Sequence, residues 1–329
     1  MFSMKRLIPT ALALVGSTTI TSVQANEEVN VYSYRQPFLM QPIFDAFTKE
    51  SGIDVNVVFA KKGLTERLKR EGKNSPADLV FTVDIGRLNE VVEAGVVQGV
   101  TTPELEKNIP AQYQGPDGQW YGLTTRARVI YASKDRVAAG AIARYEDLAK
   151  PEWKGKICTR SGKHPYNVAL IASMIANNGE AETEKWLTAV KGNLAQKPQG
   201  NDRAQVKAIK EGVCDLAIGN NYYYGKMLMD EEQSAWARSV SIVFPNQGDR
   251  GTHVNISGVS LTKSAPNKDN AIKLMNFLSD APAQRIYAEQ NFEYPVKPGV
   301  GPSALVASWG TFKSDPLPLN EIAKYRTLA

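Results

Sequence analysis

The chain has 329 residues, 43% of them hydrophobic and 22% charged, with 25 Gly, 18 Pro and a formal net charge of +5. At roughly 100–200 residues per domain the length favours two domains, and the composition excludes a disordered, collagen-like or coiled-coil chain. Two His and two Cys make a Cys/His zinc site a poor fit, and so small a positive balance does not identify a nucleic-acid binder.

The first 25 residues read as a leader. Met1–Arg6 is basic, Leu7–Val15 is apolar, and Val23-Gln24-Ala25 closes on a small residue. That order predicts a secretory signal peptide cleaved after Ala25. The apolar run is too short to span a bilayer, and no Cys near the cleavage point suggests a lipid anchor. Loss of Lys5 and Arg6 leaves about +3. The mature chain is expected in an exported, oxidising compartment. Cys158 and Cys214 suit it, because two cysteines allow one internal connectivity.

The mature chain opens with a strand, Glu28–Ser33. A helical stripe of Leu39, Met40, Ile43, Phe44 and Phe47 follows, ended by Ser51-Gly52. Ile53–Phe59 alternates as a strand, Leu64–Lys69 reads as a helix, Asp78–Thr82 as a strand and Ile85–Ala94 as a helix. This rhythm predicts a parallel sheet with crossover helices. Tyr121–Ser133 is one long β run. A second α/β block follows, with helices over Asn167–Ala176 and Ala181–Lys191 and strands over Ala217–Asn220 and Val240–Phe244. A second long β run, Val254–Thr262, precedes a helix at Lys268–Ser279 and a tail, Ala304–Ala329, expected to be mostly helical. Two long β runs around a middle block predict two α/β lobes joined by two crossing strands, with a ligand cleft between them. The expected division is lobe one from 26–125 and 256–300, lobe two from 126–255, and a tail from 301–329 packing across both.

The residues that invite chemistry sit at strand-to-helix turns. Tyr222-Tyr223-Tyr224 follows the strand ending at Ile218, and a helix is expected just after them. Three adjacent Tyr cannot share one face, so at least one leaves any single core, although aromatic packing is the competing account. Tyr166 precedes the helix at Asn167 on the same lobe. Phenols do not ionise at neutral pH unaided, but a trivalent cation stabilises phenolates, and three of them balance Fe³⁺. Calcium, magnesium and zinc favour other donors. On lobe one, Arg35-Gln36-Pro37 joins the first strand to its helix, and a helix start beside Arg35 and Gln36 can hold an anion or simply be capped. Arg126 and Arg128, two apart, share a face and can serve the cleft or structural ion pairs. No nucleophile–base motif is present, and His164 and His253 stand alone.

Tyr32-Ser33-Tyr34-Arg35-Gln36, Asn74–Asp78, Thr82-Val83-Asp84, Arg126–Ile130 and Asn221–Gly225 together resemble the periplasmic ferric-ion-binding proteins of ABC iron transporters, the bacterial transferrin-like group. The resemblance covers essentially the whole mature chain. It implies a type II periplasmic-binding-protein fold that closes on one Fe³⁺, with Tyr166, Tyr222 and Tyr223 as ligands and Tyr224 as packing. Many members carry His-Tyr where this chain has Gln36-Pro37. The departure implies the subgroup that uses three tyrosines and a synergistic anion, usually carbonate, here held by Arg35 and Gln36, with Arg126 as a weaker candidate. An inner-membrane ABC permease is the implied partner and a monomer the implied state. The rivals are a same-fold receptor for a polyamine or an oxyanion, an exported transfer enzyme, and a sensor subunit. The first needs cleft carboxylates, the second needs no tyrosine cluster, and the enzyme needs a nucleophile–base pair.

Overall fold

The computed structural model describes residues 27–329, so the expected leader lies outside the described residues. Ten strands form one mixed sheet: β1 (Glu28–Ser33), β2 (Asp54–Phe59), β3 (Leu79–Thr82), β4 (Val97–Gln98), β5 (Tyr121–Ser133), β6 (Ile157–Cys158), β7 (Leu216–Asn220), β8 (Val240–Val243), β9 (Val254–Thr262) and β10 (Tyr294–Pro295). Their order is β2-β1-β3-β9-β5-β7-β6, with β4 on β9 and both β8 and β10 on β5. Pairs β1–β2, β1–β3 and β6–β7 are parallel, as crossover helices require, while β9 and β5 run antiparallel to their neighbours.

β5 gives the molecule its two-part character. Tyr121–Ala127 pairs with β9, and Arg128–Ser133 pairs with β7 and β8. All thirteen of its residues are buried. β9 in turn pairs with β3, so β5 and β9 carry the chain between two packing centres. One centre gathers Val31, Ile43, Phe44, Phe81, Leu261 and Met275. The other gathers Ile130, Leu148, Ile157, Leu170, Met174 and Leu216. Helix Pro37–Ser51 presents its predicted stripe to the first, and Gly52 ends it in a left-handed conformation. Helix Pro165–Asn178 serves the second.

Cys158 and Cys214 are bonded, joining the end of β6 to the approach to β7. Two expectations fail. The tail holds only two short helices, Ala304–Ala307 and Leu319–Lys324, because Gly310, Pro316 and Pro318 interrupt it. The second of these packs Leu319, Ile322 and Ala323 against Ile85, Leu88 and Ala172. The tyrosines do not precede a helix but open it: Asn221–Leu228 is helical, with Asn220 at its N-cap. Among the described residues no helix is long and apolar enough to cross a membrane.

Candidate metal centre

Two strand-to-helix turns bring the three phenols together. Tyr166 lies in the first turn of helix Pro165–Asn178, and Tyr222 and Tyr223 in the first turn of helix Asn221–Leu228. The Tyr166 and Tyr222 hydroxyls are 3.3 Å apart, and the Tyr222 and Tyr223 rings lie 4.3 Å centre to centre. Tyr224 turns away to stack on Tyr131 and meet Trp309 edge-on. A cation among Tyr166, Tyr222 and Tyr223 would meet hard oxygen donors. Among the described residues no group of three His, Cys, Asp or Glu could hold a metal ion.

One buried carboxylate, paired with two arginines, holds both turns. Asp202 accepts from Arg128 Nη1 at 2.6 Å and from Arg160 Nη1 at 3.0 Å. It also accepts from the backbone N–H of Asn220 at 3.0 Å, at the tyrosine helix's N-cap. Arg128 Nη2 donates to Asn167 Oδ1 at 2.6 Å, next to Tyr166. Asn221 Oδ1 accepts from the Ala127 N–H at 2.8 Å, and the Tyr131 hydroxyl donates to the Asn220 carbonyl at 2.6 Å. Burial alone would raise the Asp202 carboxyl, but Arg128 and Arg160 hold it below its ordinary value. The guanidiniums of Arg126, Arg128 and Arg160 lie 5.6, 5.9 and 5.4 Å from the centre of the Tyr166 ring.

The phenols are costly to ionise without a cation. Burial, reinforced by Tyr166 and Tyr223, pushes Tyr222 well above its ordinary value, and Arg126 only partly opposes this. Burial and then Tyr166 push Tyr223 up as well. His164 has one ring nitrogen engaged: its Nδ1 accepts from the Tyr166 N–H at 3.3 Å, and its ring meets Tyr166 edge-on. Burial and then Arg160 push it down to about 3, so it is a neutral cap. Burial, with Arg128 and Arg126, does the same to His253.

Across the cleft, Arg35 is 2% exposed and pairs with Glu293, while its Nη1 donates to Ser257 Oγ. Arg126 Nη1 donates to the same hydroxyl at 3.0 Å. Thr124 completes the group by donating to Glu293 at 3.2 Å. Gln36 is exposed at the start of helix Pro37–Ser51 and its side chain makes no cap hydrogen bond. Arg126 and Arg128 therefore split the two roles open to them: Arg128 joins an ion pair, and Arg126 meets no carboxylate among the described residues.

Sequence reasoning missed Asp202, Asn167, Asn220, Ser257 and Glu293. Asn201-Asp202 does carry a helix-start signal, and Asn201 Oδ1 caps that helix at the Ala204 N–H. Nothing local shows that Asp202 reaches two arginines 74 and 42 residues away.

Two packing centres joined by β5 and β9 fit the architecture of a solute-binding protein. The family profile described as bacterial extracellular solute-binding protein matches residues 74–308, and the chain belongs to that family. It is a binding protein of a transport system and not an enzyme. Over 299 residues it is 44% identical to iron uptake protein A1 of Synechocystis, covering 90% of this chain and 83% of that protein. The structure of apo ferric ion-binding protein A from Pasteurella haemolytica superposes with a TM-score of 0.89 at 58% identity, over 92% of this chain and 95% of that one. A Trichodesmium protein solved with iron and citrate ligands superposes with a TM-score of 0.85 at 42% identity, over 91% and 96%. The fold is that of the periplasmic binding proteins.

Proposed function

We propose that the protein is a periplasmic receptor that captures one Fe³⁺ through Tyr166, Tyr222 and Tyr223 and delivers it to an inner-membrane ABC permease. The observation that carries this is the meeting of three phenols from two turns, where among the described residues no group of three His, Cys, Asp or Glu offers a rival metal site. The relatives named for ferric iron and iron uptake support the choice of metal.

Three phenolates leave coordination positions open. A synergistic anion, carbonate in this reading, fills them. Arg35 and Gln36 approach from lobe one, and Arg126 adds positive charge from the crossing strand. Among the described residues Arg35 Nε meets no hydrogen-bond partner, so it retains a donor for this purpose. The division into 26–125 with 256–300 as lobe one, 126–255 as lobe two and 301–329 as a tail across both belongs to the same reading, as does export with loss of residues 1–25. Citrate, the ligand named for the Trichodesmium structure, is the second candidate anion.

The test is a visible absorption titration with a ferric chelate, in bicarbonate, in citrate and in neither. A saturable tyrosinate-to-iron band at one iron per chain, lost in Tyr222→Phe, is the expected result. Bicarbonate dependence supports carbonate, and citrate dependence replaces it. No band in any buffer refutes ferric capture.

A further inference from the structure

The end of the chain fastens to one half of the molecule and then crosses to the other. Gln247 and Lys313 exchange two hydrogen bonds: the Lys313 N–H donates at 2.7 Å, and the Gln247 amide donates to the Lys313 carbonyl at 3.0 Å. The Thr252 N–H donates to the same carbonyl at 2.8 Å, and the Thr252 carbonyl accepts from the Asp315 N–H at 2.9 Å. Asn177 of helix Pro165–Asn178 donates to the Asp315 carboxylate at 2.9 Å. Pro318 then opens helix Leu319–Lys324 as its N-cap.

That helix lies between two others. Helix Ile85–Glu93 follows β3, helix Pro165–Asn178 follows β6, and β3 and β6 stand on opposite sides of the β9–β5 pair. Leu319, Ile322 and Ala323 are each at most 8% exposed, and they cluster with Ile85 and Leu88 of the first helix, Ala172 of the second and Ile256 of β9. Arg326 completes the crossing by donating to the Gly86 carbonyl and pairing with Glu90. Gly86 admits it, because a methyl group there would lie 2.5 Å from Arg326 Cδ. The space left between Gly86, Pro165, Ala169, Ile322 and Arg326 is about 10 Å³, room for one water at most. Close-packed contacts switch between discrete arrangements rather than yield gradually. The angle between the two long helices therefore cannot change while this contact stays intact.

The contact favours an arrangement in which the cleft walls are together. Lys226 Nζ on the tyrosine helix lies 5.7 Å from the ring of Phe38, at the start of helix Pro37–Ser51. We propose that helix Leu319–Lys324 and Arg326 form a strap that holds the cleft walls at this spacing in the iron-free protein. The bonds at Lys313 and Asp315 anchor the strap beside helix Pro165–Asn178. Its grip on helix Ile85–Glu93 is a short apolar face and one half-buried arginine, so that side is where it lets go. Tyr166 lies in the first turn of helix Pro165–Asn178, so the strap also bears on iron retention. That consequence rests on the ferric reading, and the strap itself does not.

Cys158 and Cys214 are bonded and are the only cysteines, so spin labels at Lys62→Cys and Lys163→Cys attach nowhere else. Lys62 follows β2, Lys163 precedes helix Pro165–Asn178, and both are exposed. Double electron–electron resonance on the iron-free protein should give label distances that lengthen and broaden in Arg326→Ala and in Gly86→Ala. The second variant puts a better helix former in place of glycine, so it keeps the helix while pushing Arg326 away. Both changes together should match Arg326→Ala alone, because they remove the same contact. Loss of ferric ion to excess chelator should quicken about tenfold in either variant, a factor that corresponds to about 1.4 kcal/mol. Circular dichroism verifies that each variant is folded. Unchanged distances in both folded variants overturn the strap. Longer distances with unchanged iron release overturn its bearing on the site. If the native protein takes up no ferric ion, the ferric reading fails and the label distances alone decide the strap.

Discussion

Asp202 is the residue on which the phenol cluster's geometry turns. It is fully buried and joins two guanidiniums to the N–H that begins the tyrosine helix. Asp202→Asn keeps the shape but strands buried positive charge. It should cost about 3–5 kcal/mol in urea unfolding. The carboxyl titrates below its ordinary value in the folded protein, so its stabilisation is present above the unfolded value, near 3.9, and fades as pH falls through the lower folded value. The acid limb of the stability–pH curve should therefore flatten in the variant. The tyrosines carry a different dependence. Burial keeps Tyr222 and Tyr223 protonated without a cation, so ferric binding must displace protons and weaken in acid. A pH-stat titration should register about three protons released per iron bound. Tyr166→Phe and Tyr223→Phe should each lower iron affinity by at least about 100-fold, as measured by chelator competition, while leaving the circular dichroism spectrum unchanged.

At the scale of the element, the tyrosine helix is positioned by what lies beneath it. A methyl group on Gly225 would sit 2.5 Å from Phe292 Cγ, and one on Gly219 would sit 2.4 Å from Tyr131 Cε2. Phe292 holds a left-handed conformation at the end of helix Ala281–Asn291 and has little freedom to retreat. Gly225→Ala should destabilise by about 1–3 kcal/mol, and its displacement of the first turn should shift the iron absorption band. The disulfide works on the other turn. Cys158 and Cys214 are 56 residues apart, and opening that loop should cost roughly 4 kcal/mol on the chain-entropy estimate. Thermal unfolding with and without reductant measures it, and a Cys158→Ser/Cys214→Ser variant should match the reduced protein.

At the scale of the whole molecule, the two packing centres are joined through β5 and β9. Arg35 and Arg126 converge on Ser257 of β9, so lobe-one and crossing-strand charges meet at one hydroxyl. The helix Leu319–Lys324 adds a second link, and Arg326 beyond it donates to the Gly86 carbonyl at 2.8 Å and pairs with Glu90 at 3.0 Å. If Arg35 carries the anion, exchanging its ion pair for a neutral one should uncouple binding from closure. In small-angle X-ray scattering, ferric ion with bicarbonate should shrink the radius of gyration of the native protein. The same addition should leave Arg35→Gln/Glu293→Gln nearly unchanged.

The amino-acid sequence by itself determined the elements with strong local signals. Long continuous β runs marked β5 and β9, a 3.6-residue stripe marked helix Pro37–Ser51, and Gly52 marked its end. It also drew attention to Tyr222–Tyr224 and to Tyr166 at strand-to-helix turns, while the choice of Tyr222 and Tyr223 over Tyr224 rested on the family resemblance. The tail escaped because its apolar residues pack against distant partners rather than along a helix of their own. Only tertiary structure decided which arginine is paired and which is left with open donors. Spacing places Arg126 and Arg128 on one face, but Asp202 meets Arg128 from a helix 74 residues away. Burial removes the water that would otherwise satisfy the donors left beside it. That environment is a property of the packed molecule and leaves no local trace in the chain.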